Sequence, residues 1–254
     1  MELVGTSSAG AVLASACSAQ GVFAAGVPAM NTAMNNAVHN APDAARGAAP
    51  GAANPAHTTR IEVEEIGAYD VDRLNKVLTE ELAEFSQFEI SYTPAQVGVK
   101  LYRVTYPSVV PERNNRPTTA SGLIAIPAVS DKQPASLPVK LPVVSYQHGS
   151  VFGKEEVPSF LENSTETRLM VAVFGGQGYM VIGADYFGKG VSPEPNGYIV
   201  KESTEQACLD MLLAAQTVCP DLGVEMGPLL LSGWSQAAGL PLCSCTSSKA
   251  SAFQ

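Results

Sequence analysis

Histidine is scarce in this chain. His39, His57 and His148 are the three in 254 residues, and downstream of Ser235 there is no His, Asp or Glu at all. Positive charge is also thin, with 15 Lys and Arg against 24 Asp and Glu and a formal net charge of −9. No basic stripe is present to follow a phosphate backbone, so a nucleic-acid partner is not expected. No run reaches the ~18 apolar residues that span a bilayer, so no transmembrane segment is expected. Cysteine is sparse and badly spaced for bonding. Cys208 and Cys219 fall in one predicted helix, where a rise of ~1.5 Å per residue separates their Cα atoms by about 16 Å, too far for a disulfide. Cys243-Ser244-Cys245 is too tight for an ordinary bridge and lacks the partners of a zinc site. The five cysteines are therefore read as free thiols, and neither metal nor cofactor is implied.

What is present is apolar: 46% of the residues are hydrophobic, enough for one sizeable core plus an extension. The charge is uneven. Residues 1–60 hold 18 alanines but only Glu2, Asp43, Arg46 and Arg60 as charged groups, with no sustained period. Such a segment buries too little to offset its ordering entropy, and 1–60 is read as a disordered leader. Within it, "AGAVLASACSAQGVFAAG" (9–26) is uncharged, and Ala14-Ser15-Ala16 fits a small-x-small cleavage site before Cys17. Leu13 to Cys17 is similar to a bacterial lipoprotein box, which implies a lipid anchor at Cys17. The opening "MELVGTSS" lacks the usual Lys or Arg. Export is the expectation.

Periodicity begins after residue 61. "DVDRLNKVLTEELAEFSQF" (70–88) places Leu74, Val77, Leu78, Leu82 and Phe85 on one helical stripe, with Asp70 or Asp72 as cap. Residues 97–106 and 120–127 alternate like strands and are expected to pair antiparallel across "PSVVPERNNRP". From 141 the pattern becomes strand, loop, helix. Apolar strands are predicted at 141–146, 179–184 and 229–232, and helices at 165–177 and 201–218. Buried strands alternating with helices predict an α/β fold with a mostly parallel sheet covered on both faces.

Gly233-Trp234-Ser235-Gln236-Ala237 follows the last of these strands. A serine hydroxyl attacks only when a base takes its proton and when it stands clear of the surface. A tight strand-to-helix turn lifts it out and needs small residues two before and two after, here Gly233 and Ala237. The same turn aims the amide N–H of Gln236 at a developing oxyanion. A second donor is expected after an earlier strand, and His148-Gly149-Ser150 is placed to supply the N–H of Ser150. Gly149 lets the backbone turn, and His148 is read as shaping the loop. Asp185 is read as a turn-stabilising residue, Trp234 as a core or pocket aromatic, and Glu155-Glu156 as a solvated loop. Glycines 175, 176 and 178 end a helix rather than cradle a phosphate.

Taken together, Tyr146-Gln147-His148-Gly149-Ser150, "DYFGKGVS" (185–192) and Gly233 to Ala237 resemble the oxyanion loop, the loop after the fourth strand and the nucleophile elbow of the α/β-hydrolase family. The resemblance covers roughly residues 95–240, and the N-terminal features are similar to exported bacterial esterases and lipases. It implies Ser235 as nucleophile, Ser150 and Gln236 as oxyanion donors, and a small-molecule or lipid ester as substrate. In that family the acid and then a histidine follow the serine. That order excludes His39, His57 and His148 as the base and Asp185 as the acid. Pro241 breaks the helix that should carry the nucleophile, and 241–254 is patternless. The expectation is therefore three segments: a leader (1–60), the N-terminal portion of a hydrolase domain (61–240) and a non-family tail (241–254). It is further expected that the chain is a shortened reading of a longer hydrolase, inactive or weakly active. A non-catalytic exported remnant or binding protein on the same scaffold, or a peptidase of the same fold, is the alternative.

Overall fold

The computed structural model describes residues 58–85, 91–128, 138–233 and 235–236. The leader before Thr58, the tail from Ala237 onward, Trp234, Cys17, Cys243, Cys245, His39 and His57 lie outside the described residues. The two stretches of alternating β-branched and aromatic residues become β2 (Val99–Val110) and β3 (Arg116–Pro127), paired antiparallel in one register from Val99↔Pro127 to Val110↔Arg116. Both strands run further into the expected turn than their apolar pattern indicated. Asn114 and Asn115 make the reversal with φ of 54° and 55°, a conformation Asn tolerates better than most side chains. Pro107, which has no N–H to donate, falls beyond Thr105, where the neighbouring strand stops and, among the described residues, one side of β2 is unpaired.

That neighbour, β1 (Glu62–Tyr69), was not anticipated. It pairs antiparallel with β2, setting Glu64 opposite Arg103 in a 2.8 Å ion pair. It is exposed along most of its length, so no alternation marks it. Glu62, Glu64 and Glu65 on this edge also discourage pairing with another chain.

The strand–helix repeats supply β4 (Val139–Gln147), β5 (Met180–Ala184) and β6 (Val224–Gly233). The six strands lie in the order β1-β2-β3-β5-β4-β6, antiparallel from β1 to β5 and parallel along β5-β4-β6. This is the α/β class expected, as a mixed sheet whose parallel part carries the loops of interest. β6 was expected to be a buried strand at 229–232. Among the described residues it is an edge strand, longer than expected, with Leu229, Leu230 and Leu231 half-buried. Gly227-Pro228 sits where the β4–β6 register slips between Leu141 and Val143, and a bulge absorbs it.

Alternate residues of the strands feed two cores. On one face Val104, Tyr106, Ile124 and Ile182 pack against Ala207, Met211, Ala214 and Val218, the predicted stripe of the long helix Lys201–Val218. On the other face Leu101, Leu123 and Val181 meet Leu74, Val77 and Leu78 of the first helical segment and Leu169 and Ala172 of helix Thr165–Phe174. The helical elements are numbered α1 (Val71–Lys76), α2 (Leu82–Phe85), α3 (Thr165–Phe174) and α4 (Lys201–Val218). Asp70 caps α1 by accepting from the N–H of Arg73 at 2.7 Å. A π turn, Val77–Glu81, separates α1 from α2, and Glu81 there takes both Arg73 (2.7 Å) and Arg168 of α3 (2.5 Å).

Two long-range contacts fix α4. Val200 offers no side-chain cap, and Glu112 from the β2–β3 connection instead accepts from the N–H (2.9 Å) and hydroxyl (2.5 Å) of Ser203. Gly122 of β3 sits under the helix. A Cβ there would lie 2.4 Å from the Gly183 carbonyl oxygen and 2.6 Å from Met211 Sδ. Because one obstacle is backbone, repacking Met211 cannot relieve it. Gly122→Ala is expected to destabilise the fold by about 3 kcal/mol, measured by urea unfolding, and adding Met211→Ala is expected not to restore the loss.

Candidate active site

In a parallel set the carboxyl ends of the strands share one edge, the usual place for a ligand in α/β sheets. Here Tyr146 pairs with Gly183 on one side and Ser232 on the other, and Gln147 pairs with Gly233. The loops that begin at His148, Asp185 and residue 234 therefore leave the sheet side by side. The three sequence blocks read separately are thus brought to one edge.

The loop after β4 is held from several directions. Glu166, in the first turn of α3, accepts from the Tyr146 hydroxyl and from the N–H of Gly149 at 2.8 Å. Further along, the ammonium of Lys189 donates to three consecutive carbonyls, Val151 (3.0 Å), Phe152 (2.9 Å) and Gly153 (3.0 Å). The N–H groups of Phe152 (3.2 Å) and Gly153 (2.8 Å) go to Glu156 instead. Glu156 thus closes its own loop and is not merely solvated, as expected of Glu155-Glu156. The N–H groups of Gly149, Phe152 and Gly153 are therefore spent. No acceptor takes those of Ser150 and Val151 among the described residues. The Ser150 hydroxyl donates to the Tyr198 hydroxyl at 3.4 Å.

His148 is buried and stacked on Tyr186, with ring centroids 4.0 Å apart. Its Nδ1 faces the Gly149 carbonyl at 2.7 Å and its Nε2 the Asp185 carbonyl at 3.2 Å, so neither nitrogen points into open space. The Tyr186 hydroxyl donates to the His148 carbonyl at 3.1 Å. Burial lowers the His148 pKa to about 4.

Asp185 is buried too. Its carboxylate accepts from Ser121 Oγ (2.5 Å), Ser159 Oγ (2.5 Å) and Ser159 N–H (2.8 Å). Burial raises its pKa against the pull of those donors. Gly190, at φ 57°, fits only without a side chain, since a Cβ would lie 2.1 Å from Asp185 Oδ2. Glu194 then ties this loop to the β2–β3 hairpin through Arg116 and through Thr118 at 2.8 Å.

At the end of β6, Ser235 is exposed with φ 54°, and Gln236 is half-buried. A non-glycine residue in the left-handed region is uncommon and costs of order 1–3 kcal/mol. Gly233 ends the strand, whereas Ala237 lies outside the described residues. Glycines 175 and 176 serve packing: a Cβ on Gly176 would meet Ala95 at 2.7 Å, and its carbonyl accepts from the N–H groups of Gln96 and Val97. Cys208 and Cys219 are free and buried, with thiol pKa values raised to about 12 and about 11 by burial, which leaves them unreactive. Among the described residues no group of three His, Cys, Asp or Glu is placed to hold a metal ion, and no helix is long and apolar enough to cross a membrane.

Sequence reasoning missed Lys189, Glu166, Ser159 and Tyr198. Lys189 lies inside the block "DYFGKGVS", yet nothing local in the sequence says that its ammonium ends on a loop 36 to 38 residues earlier.

The architecture matches solved hydrolases. A Legionella pneumophila protein named as a hydrolase is 25% identical over 69% of this chain and 43% of its own, with a TM-score of 0.58. The rice cell wall degrading esterase LipA from Xanthomonas oryzae, in a ligand-bound form, is 22% identical over 75% of this chain and 46% of its own, with a TM-score of 0.60. The fold of this chain is accordingly that of the α/β-hydrolases. The chain spans less than half the length of these solved proteins. No protein-family model matches it, and no curated protein does.

Two measurements check the site's supports. Asp185→Asn keeps an acceptor for the Ser159 N–H and offers its amide to two serine oxygens, so it is expected to unfold within about 1 kcal/mol of the parent. Asp185→Ala strands all three donors and is expected to cost about 3 kcal/mol. For His148, the unfolded ring takes its proton near 6.5 and the folded ring near 4. Between those values the unfolded chain binds more protons. Stability is therefore expected to fall as pH drops from 6.5 to 4, by up to about 3 kcal/mol from this residue. Asp185, whose folded pKa is raised, offsets part of the loss at the acid end. Urea unfolding across that range checks the slope, and His148→Gln is expected to flatten it.

Proposed function

We propose that this chain carries the nucleophile and the oxyanion donors of a serine hydrolase acting on carboxylic esters. The observation that carries the reading is Ser235 itself: exposed, left-handed at φ 54°, and placed just past the carboxyl end of β6. A strained hydroxyl-bearing residue at that place is what a nucleophile elbow requires. In this reading Ser235 Oγ attacks the ester carbonyl carbon. The N–H groups of Ser150 and Gln236 donate to the carbonyl oxygen as it gains charge. Gly149 and His148 shape the oxyanion loop, and Gly233 leaves room for the elbow. The amide of Ser150, which like that of Val151 has no acceptor among the described residues while that of Gly149 is engaged, supports its role. Buried His148, with both ring nitrogens on carbonyls, and Asp185, held by two serines, are structural in this reading. The acid and base are thus not among the residues that form this edge.

Ser235 and the oxyanion donors without their base leave residual rather than full catalysis. Hydrolysis of 4-nitrophenyl acetate by this chain is therefore expected to be weak, and Ser235→Ala is expected to remove whatever is present. Efficient turnover by these 254 residues, abolished by Ser235→Ala, would place a base within them. A folded monomer in which a fluorophosphonate never labels Ser235 favours the non-catalytic binding protein instead.

A further inference from the structure

Four residues of the loop between β5 and α4 form a turn, with Val200 N–H donating to the Gly197 carbonyl at 3.0 Å. Ile199 occupies its third position with φ 61°. A turn with positive φ there favours Gly or Asn, and a β-branched residue is a genuine outlier. The strain is of order 1–3 kcal/mol and packing does not repay it, because Ile199 is 70% exposed. The turn is nonetheless firmly held. Gly197 N–H donates to the Phe187 carbonyl at 3.2 Å, Glu194 is anchored on the β2–β3 hairpin, and α4 begins at the next residue under the Glu112 cap. A rigid turn thus presents a strained aliphatic side chain to the outside. Its neighbour Tyr198, 42% exposed, reaches the Ser150 hydroxyl at 3.4 Å. Phe152, 84% exposed, stands two residues beyond Ser150 on a backbone clamped by Lys189. Three outward apolar side chains therefore belong to the two loops that meet at Ser150.

We propose that the Gly197–Val200 turn is a subsite for the hydrocarbon arm of an ester, with Ile199 as its specificity-determining residue. The ester rests on the hydrolase reading above, but the subsite is tested by binding alone. Strain that lowers stability without internal contacts is retained where an outside partner makes the contacts, and here that partner lies against the proposed oxyanion donor. Tyr198 ties the turn to the Ser150 hydroxyl, so the proposed subsite begins beside the donor that would face the ester carbonyl oxygen.

The test uses the full chain carrying Ser235→Ala, which leaves esters intact, and compares ethyl acetate, ethyl octanoate and octyl acetate by ligand-observed NMR. At least one long ester is expected to bind about tenfold or more tightly than ethyl acetate, since each buried methylene is worth several-fold. Which one gains tells whether the acyl or the alcohol arm is held. Ile199→Asn and Ile199→Gly, both suited to the left-handed region, are expected to lose that gain while Tm is unchanged or higher. A gain that persists in both variants overturns the proposal. So does a parent that binds no long ester better than ethyl acetate, or a Tm that drops by several degrees in both variants. Hydrolysis by the Ser235 form is scored separately. A chain-length gain with no fluorophosphonate labelling of Ser235 upholds the subsite and counts against the hydrolase reading only.

Discussion

Asp185 has no exposed atom, yet its carboxylate is where the site's supports converge. Removing a carboxylate from water costs several kcal/mol unless strong donors replace the water. Ser121 from β3 and Ser159 from the turn before α3 supply three, and charge-assisted bonds of that kind are among the stronger ones in proteins. The consequences spread outward. The Asp185 carbonyl faces His148, which stacks on Tyr186, and the Tyr186 hydroxyl returns to the His148 carbonyl. Gly190 must lack a side chain because the carboxylate occupies its space. The loop after β4 and the loop after β5 are in this way one assembly.

That assembly explains a contrast within the loop after β4. Carbonyls 151–153 are gathered by the Lys189 ammonium, and the amides of 149, 152 and 153 by two carboxylates. Opposite charges on opposite sides of a peptide chain orient it, since each peptide unit carries a sizeable dipole. Among the described residues the amides of Ser150 and Val151 are left over, in a loop that leaves the sheet next to the end of β6. Preorganisation of this type places the cost of ordering a donor in the fold instead of in the reaction.

The α/β alternation was legible because each central element follows its own period. α4 was read at 201–218 with the buried face that packing shows, and β2 and β3 were read as an antiparallel pair. β1 was not legible, since an edge strand exposed along most of its length with three glutamates has no apolar alternation. The first half of β6, Val224 to Pro228, was not legible because it has no apolar run of its own and is interrupted by a bulge. Lys189, Glu166 and Glu112 were illegible for another reason. Each acts on a backbone segment distant in sequence, and no local pattern encodes such a partner.

The cap on α4 has a bearing on how the chain acquires its shape during synthesis. Ser203 finds Glu112 across 91 positions, Tyr106 grips the Ala207 carbonyl across 101, and Ser108 meets Asp210 across 102. In each case the earlier partner belongs to the β2–β3 hairpin or its tip. A ribosome adding 5–20 residues each second delivers that hairpin on the order of 5–20 s before the helix emerges. The partners that hold α4 are therefore all synthesised before the helix itself.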